Sequence, residues 1–194
     1  MRFETLPNTV VLTALVGILA GFGPAAEPSQ GQDSKTPSDS EVLLQVWLDD
    51  FDQAASKLVA LAEEIPAEEY GWRPAPGVRS VAEVYTHVMG TNLFLAGALG
   101  SEPPDEMPGS LSSIDKKSEV LQYLRLSLDH VRQAVQKTGG RNLGRPVELG
   151  RSRDATAGRV MFLVTGHAHE HLGQLIAYAR SRDVTPPWSG GDRG

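Results

Sequence analysis

Apolar residues return at steps of three and four along four separate stretches of the chain. In the first, Leu44, Trp47, Leu48, Phe51, Ala55, Leu58, Ala62 and Ile65 form one stripe, and Pro66 marks its end. The second opens with Ser80-Val81-Ala82-Glu83, a capping box in which the Ser and Glu side chains satisfy free backbone N–H groups; it runs to about Leu99 and stops at Gly100. The third spans Lys116 to Lys137, with Leu121, Leu124, Leu128, Val131 and Val135 inward and Gly139-Gly140 ending it. The fourth runs from about Thr156 to Arg182, and Pro186-Pro187 prevents its continuation.

No stretch alternates as a strand over a useful length; Val147, Glu148 and Leu149 make at most a short extended piece. Four helices, each with one apolar stripe, bury those stripes only against one another. The predicted fold is therefore all-α, a four-helix bundle. Its three connections are longer than bundle hairpins usually are, so neighbours in sequence need not follow simple up-down order.

The N-terminus reads as an export signal. Arg2 supplies a thin positive region, partly cancelled by Glu4, and Val10 to Phe22 is an uncharged apolar run followed by the small residues Ala25 and Ala26. The run is short for a membrane-spanning helix. The expectation is a signal peptide over residues 1–26, cleaved near Ala26, with an uncleaved anchor as the alternative. Residues 27–39 are polar and rich in Pro, Gly and Ser, which predicts a disordered linker. The bundle is expected over residues 40–188, and a disordered tail over 189–194. This organisation predicts a secreted or periplasmic protein with no stable membrane association after cleavage.

Composition narrows the chemistry. The 194 residues are 40% apolar and 22% charged, an ordinary globular balance. The formal net charge is -6 and no run of Lys or Arg occurs, which argues against a nucleic-acid partner. Cysteine is absent, so disulfides, thiolate metal sites and Cys nucleophiles are excluded, and any metal must be held by His, Asp or Glu.

Histidine carries the informative pattern. At about 100° per residue, His167 and His171 fall on one helix face, one turn apart, together with Val160, Val164, Gln174 and Tyr178. His87 lies on a stripe with Ser80, Val84, Thr91, Phe94 and Ala98, so it is read as inward too. A single inward His is commonly a hydrogen-bonded core residue. Three among Val, Leu and Phe pack poorly and are costly to bury unless something binds them, and a divalent metal ion makes use of all three. Three imidazoles leave a coordination position for water or substrate.

His169 projects to the opposite side and His130 lies off the third stripe; both are expected to be exposed. Glu83 and Glu170 are candidates for outer-shell bases, with capping or surface roles as the alternative, and Gln174 for hydrogen-bonding a ligating imidazole. Gly173 is read as allowing close helix approach. Trp47, Trp72 and Trp188 are read as packing anchors, the last two at a bundle end. No phosphate-binding loop, nucleophile elbow or His-Glu-x-x-His motif is present.

At these residues the chain resembles the DinB-like superfamily of small metal-binding four-helix proteins. Tyr70-Gly71-Trp72-Arg73-Pro74 through Gly77-Val78-Arg79-Ser80 is similar to the segment leading into the family's second helix. Val84 to Met89 resembles its first ligand segment, with His87 in the ligand place. His167-x-x-x-His171-Leu172-Gly173-Gln174-Leu175, then Tyr178-x-Arg180 and Thr185-Pro186-Pro187-Trp188, is similar to its closing helix. The likeness covers about Ser40 to Trp188. It implies up-down-down-up helix order and one divalent metal, zinc or nickel, on His87, His167 and His171. Some members are transferases or isomerases that use low-molecular-weight thiols. A leader departs from the usual pattern, and such thiols are chiefly cytosolic, so water is the nucleophile easier to reconcile with export. Two readings follow: a metal-dependent hydrolase or transferase acting on a small-molecule substrate, or a non-catalytic metal- or ligand-binding module. A homodimer is left open.

Overall fold

In the structure, a computed structural model described over residues 36–190, the first helix, α1, runs Asp39–Glu64. Its start is fixed by Glu41, whose carboxylate accepts from the Ser38 backbone N–H and hydroxyl, both at 2.8 Å. Residues 1–35 and 191–194 lie outside the described residues, and with them the expected signal peptide, most of the expected linker and the end of the tail. The helix cap falls on Ser38, two residues before the expected start of the bundle.

Three further helices follow: α2 (Val81–Ala98), α3 (Lys117–Thr138) and α4 (Ala157–Ser181). The expected capping box at α2 is present, with Ser80 N–H donating to Glu83 at 2.7 Å and Glu83 N–H to the Ser80 hydroxyl at 3.2 Å. Two more donors of its first turn are met from the preceding segment: Val81 N–H donates to the Trp72 carbonyl and Ala82 N–H to that of Tyr70. At the far end of α3, Gly139 adopts φ 72°, and Gly140 packs against the start of α1 so closely that a Cβ would lie 2.2 Å from the Ser40 carbonyl oxygen.

Cross-helix pairs give the helix directions. Arg132 of α3 pairs with Asp52 of α1 at 2.7 Å, and Arg125 with Glu63, so α3 is antiparallel to α1. Trp47 donates its indole N–H to the Met161 carbonyl at 2.7 Å, and Glu69 beyond α1 pairs with Arg182 beyond α4; those helices are parallel. His87 of α2 meets His167 of α4, while Arg79 before α2 meets Tyr178, so α2 is antiparallel to α4. The order is up-down-down-up, with α1 and α2 each flanked by α3 and α4. Because α2 and α3 point the same way, the segment between them must return along the length of an 18-residue helix, about 27 Å. That geometry explains the long connection.

The core is made by the four facing stripes, with Phe51, Leu58, Val84, Val88, Leu124, Val131, Val160 and Leu175 among its fully buried members. Stripes α1, α3 and α4 fall where the apolar spacing puts them. In α2 the stripe is rotated from the expected one: Tyr85, Met89, Asn92, Leu95 and Ala96 are buried, whereas Phe94 is 54% exposed and Thr91 and Ala98 are half-buried. The helix is apolar or small on nearly every side, so spacing alone does not single out one face. Two other expectations are corrected. His130 is half-buried rather than exposed, its Nε2 enclosed without a hydrogen-bond partner among the described residues. Gly173 is exposed, with nothing near the place of a Cβ, so it mediates no helix approach.

Where the spacing predicts at most a short extended piece, an antiparallel hairpin forms: β1 (Pro146–Leu149) and β2 (Ser152–Thr156), turned at Gly150 with φ 58°. Val147 and Ala155 bury one face of it, with β1 against α2 and β2 against α4. Trp47 stacks on Phe51, and Trp72 meets Tyr178 edge-on at 5.4 Å between ring centres, as packing anchors do. Trp188 is 38% exposed, with the Lys57 ammonium over its ring.

Candidate metal centre

Antiparallel packing of α2 on α4 brings three imidazoles to one point. His167 and His171 stand one turn apart on α4, and His87 reaches them from α2. The His167 and His171 Nε2 atoms are 3.0 Å apart, those of His167 and His87 3.1 Å, and one ligand nitrogen from each of the three lies within 4.8 Å of the others. The rings meet at 63°, 72° and 89°, edge to face rather than stacked, so their nitrogens converge instead of their faces. His171 is buried and the other two are half-buried.

A chain of hydrogen bonds sets the tautomer of His171. The Tyr178 hydroxyl donates to the Arg79 carbonyl at 3.3 Å and accepts from the Gln174 amide nitrogen at 2.9 Å. This turns the Gln174 carbonyl oxygen towards His171 Nδ1, 2.8 Å away, and only a protonated Nδ1 satisfies that contact. The His171 Nε2 is then a bare lone pair facing the other two rings.

The protons of the cluster show whether a metal fits. With His171 Nε2 bare, its contact with His167 is a hydrogen bond only if His167 Nε2 carries a proton. That one proton cannot also serve His87 at 3.1 Å with good geometry. A cation answers all three lone pairs together. Metal–nitrogen distances of about 2.0–2.1 Å place tetrahedral ligand nitrogens about 3.3 Å apart, close to the 3.0 and 3.1 Å of the two pairs that His167 makes. The residues fit a divalent ion.

Electrostatics favour the neutral, ligating form. Burial holds His167 down to about 4, with His171, His87 and Arg79 adding to the effect. His87 is also lowered, by burial first and then by the Arg79 charge and His171, against a smaller opposing pull from Glu170.

The other expected residues are placed differently. Gln174 touches His171 directly. Glu83 spends its carboxylate on the Ser80 N–H and on Arg73 at 3.0 Å, contacts that hold it below the usual carboxylate range. Glu170 is exposed and acts on His87 only through its charge. His169 is exposed and turned towards α1, with Nε2 3.2 Å from Asp50. His130 stands on α3, outside the cluster. Two further contributors have roles that the spacing does not reveal. Tyr178 shares the His face, but its place as the hinge of the hydrogen-bond chain depends on the Arg79 carbonyl, which only the packing of α2 supplies. Arg79 is marked in the sequence only as the residue before the α2 cap.

Comparison with known families fits this geometry. The sequence profile of the DinB superfamily matches residues 50–175. This chain belongs to the DinB superfamily. Metal binding is a general property of that superfamily. Similar solved structures include a DinB-like protein from Bacillus cereus ATCC 10987 at 14% identity and TM-score 0.64, covering 74% of this chain and 95% of that one. A DinB-like protein from Bacillus subtilis, YjoA, matches at 20% identity and TM-score 0.55, covering 72% and 93%. A conserved protein from Enterococcus faecalis matches at 15% identity and TM-score 0.55, covering 70% and 94%. At these identities the likeness is one of fold. No curated protein matches the sequence. Within the DinB frame, the three-His group of this chain can bind a metal ion.

Proposed function

We propose that the protein is an exported DinB-superfamily metalloenzyme that holds one divalent ion, zinc or nickel, on the Nε2 atoms of His87, His167 and His171. The observation that carries this reading is the convergence of three ring nitrogens with the His171 lone pair fixed by Gln174. A divalent ion at that point supplies Lewis-acid polarisation of a carbonyl and lowers the pKa of water towards neutrality. The protein contributes a dry side, where His171 is 5% exposed, and an open side at half-buried His87 and His167 where a small molecule can approach. The apolar run Val10 to Phe22 supports export, and export favours water over a cytosolic thiol as nucleophile. Hydrolysis of a small electrophile is therefore the preferred reaction, with thiol transfer as its variant.

One observation favours a second reading, a non-catalytic metal- or ligand-binding module. Glu83, the carboxylate closest in sequence to His87 on α2, is occupied by its cap and by Arg73, and so is poorly suited to proton transfer. Zinc- and nickel-loaded protein, screened against small esters, lactones and amides with and without chelator, separates the two. The enzyme reading expects turnover that chelator and His167→Ala both abolish. Full metal loading with no turnover of any electrophile would favour the module.

A further inference from the structure

Most of the large apolar side chains that the fold leaves in solvent stand in one place. Among the described residues, Val42, Leu43, Val46 and Phe162 are exposed there, and only Phe94 and Trp188 elsewhere; Val46 and Phe162 show 58% and 59% of their surface. The Asp50–His169 contact at 3.2 Å locates them, because both partners are exposed and it spans the outer side of the seam between the parallel helices α1 and α4. Leu43 lies seven residues before Asp50, and Phe162 seven before His169. Both therefore stand on the helix faces that carry the contact, about 10 Å back along each helix and level with one another. Val46 is one turn from Asp50 on the same side, and Val42 adjoins it at the edge.

The bundle does not account for this patch. At its level the core positions are already filled by Trp47, Leu48 and Phe51 of α1 and by Met161 and Val164 of α4, all buried. A contiguous apolar patch on the solvent side of two helices marks an interaction surface. Its borders are oppositely charged. Asp39 and Asp49 stand on the α1 side, and Arg159 on the α4 side, one turn before Phe162. All three are exposed and none makes an ion pair among the described residues. The first acid of α4 is Glu170, eleven residues and about 16 Å beyond Arg159. The acids of α1 set the patch against an anionic lipid surface, whereas acid on one border and a cation on the other suit a second copy of the same face.

We infer that two copies of the chain associate through this face, as a twofold dimer centred on Leu43, Val46 and Phe162. An axis running along the seam lays α1 of each copy on α4 of the other. It stacks the apolar residues at the centre and sets Asp39 and Asp49 on the side of the second copy's Arg159, twice over. An axis across the seam would lay α1 on α1 and bring acids against acids, so the charges choose the first arrangement. The inference does not rest on the metal reading, since none of the three ligand histidines belongs to the face.

Sedimentation velocity of the protein as purified from an exporting host, over about 1 to 500 μM, tests the inference. The sedimenting mass is expected to rise from one chain to two across that range. Phe162→Ser and Val46→Lys should each weaken the dimer about tenfold or more, because each change acts twice in a symmetric contact. Phe94→Ser, which removes a comparably exposed ring from α2, should leave it unchanged. Helical circular dichroism should be that of wild type in all three, since the positions are exposed. Arg159→Glu alone, and Asp39→Lys with Asp49→Lys in one chain, should each weaken the dimer, and an equimolar mixture of those two chains should recover it. A one-chain mass over the whole range would overturn the inference. So would a dimer that survives both Phe162→Ser and Val46→Lys, or a mixture of the charge-reversed chains that associates no better than either alone.

Discussion

The Gln174 carbonyl oxygen sits 2.8 Å from Nδ1 of His171, three residues earlier on the same helix, and it decides which nitrogen of that ring faces the cluster. The glutamine is itself held by Tyr178, and Tyr178 by the backbone ahead of α2. Orientation of the ligand nitrogen thus depends on the packing of two helices. Gln174→Leu should keep the bundle folded, since the residue is half-buried near the surface, but leave both ring tautomers of His171 open. The expected result is zinc affinity about 10–100-fold lower, read by competition with a chelating dye, with unchanged helical circular dichroism.

Glycine positions give a contrast that packing predicts and helix propensity alone does not. Gly140→Ala drives a Cβ into the Ser40 carbonyl and should cost about 1–3 kcal/mol, because backbone rather than a flexible side chain must move. Gly173→Ala adds a methyl group to an exposed helical position with open space around it, and should stabilise by about 0.5–1 kcal/mol. Urea denaturation of both variants checks the pair.

The start of α1 should carry a pH signature. Hydrogen bonds from the Ser38 backbone and hydroxyl, and then from Arg141, hold Glu41 down to about 2 from the ordinary 4.5. A carboxyl lowered on folding stabilises the native state above its ordinary value and loses that contribution as pH falls through the lowered one. Glu41→Gln is therefore expected to be less stable than wild type at pH 7, with the gap closing between pH 4.5 and about 2. Denaturation midpoints at about pH 7, 4 and 2.5 follow it. A gap that does not narrow would mean the cap does not depend on the ionised carboxylate.

How far the sequence leads differs from helix to helix. In α1, α3 and α4 polar residues alternate with apolar ones at helical spacing, so the spacing by itself puts Phe51, Leu124 and Val160 inside, where they are. The His167–His171 pair shares that certainty, because it rides on the α4 stripe. In α2 apolar and small residues occupy almost every side and the spacing leaves the face open; Phe94, inward by spacing, is exposed. His87 still reaches the cluster because it lies at the margin of the buried stripe. The β1–β2 hairpin leaves little trace in the sequence, since residues such as Glu148 and Ser152 are polar and, among its described residues, Val147 and Ala155 alone are buried. The contact of Gln174 with His171 lies within α4 and the spacing anticipates it, whereas the link from Tyr178 to the Arg79 carbonyl is illegible because it takes its meaning from the neighbouring helix.

The most direct test of the account is the metal content of purified wild type and four single variants, by elemental analysis after equilibration with zinc at neutral pH. His87, His167 and His171 converge, whereas His169 faces Asp50 of α1. Wild type and His169→Ala are expected to hold close to one ion per chain. His87→Ala, His167→Ala and His171→Ala are expected to lose most of theirs while keeping helical circular dichroism, because the four apolar stripes hold the bundle without the ion. Zinc retained by His167→Ala and lost by His169→Ala, or a wild type that binds no divalent metal at all, would contradict the account.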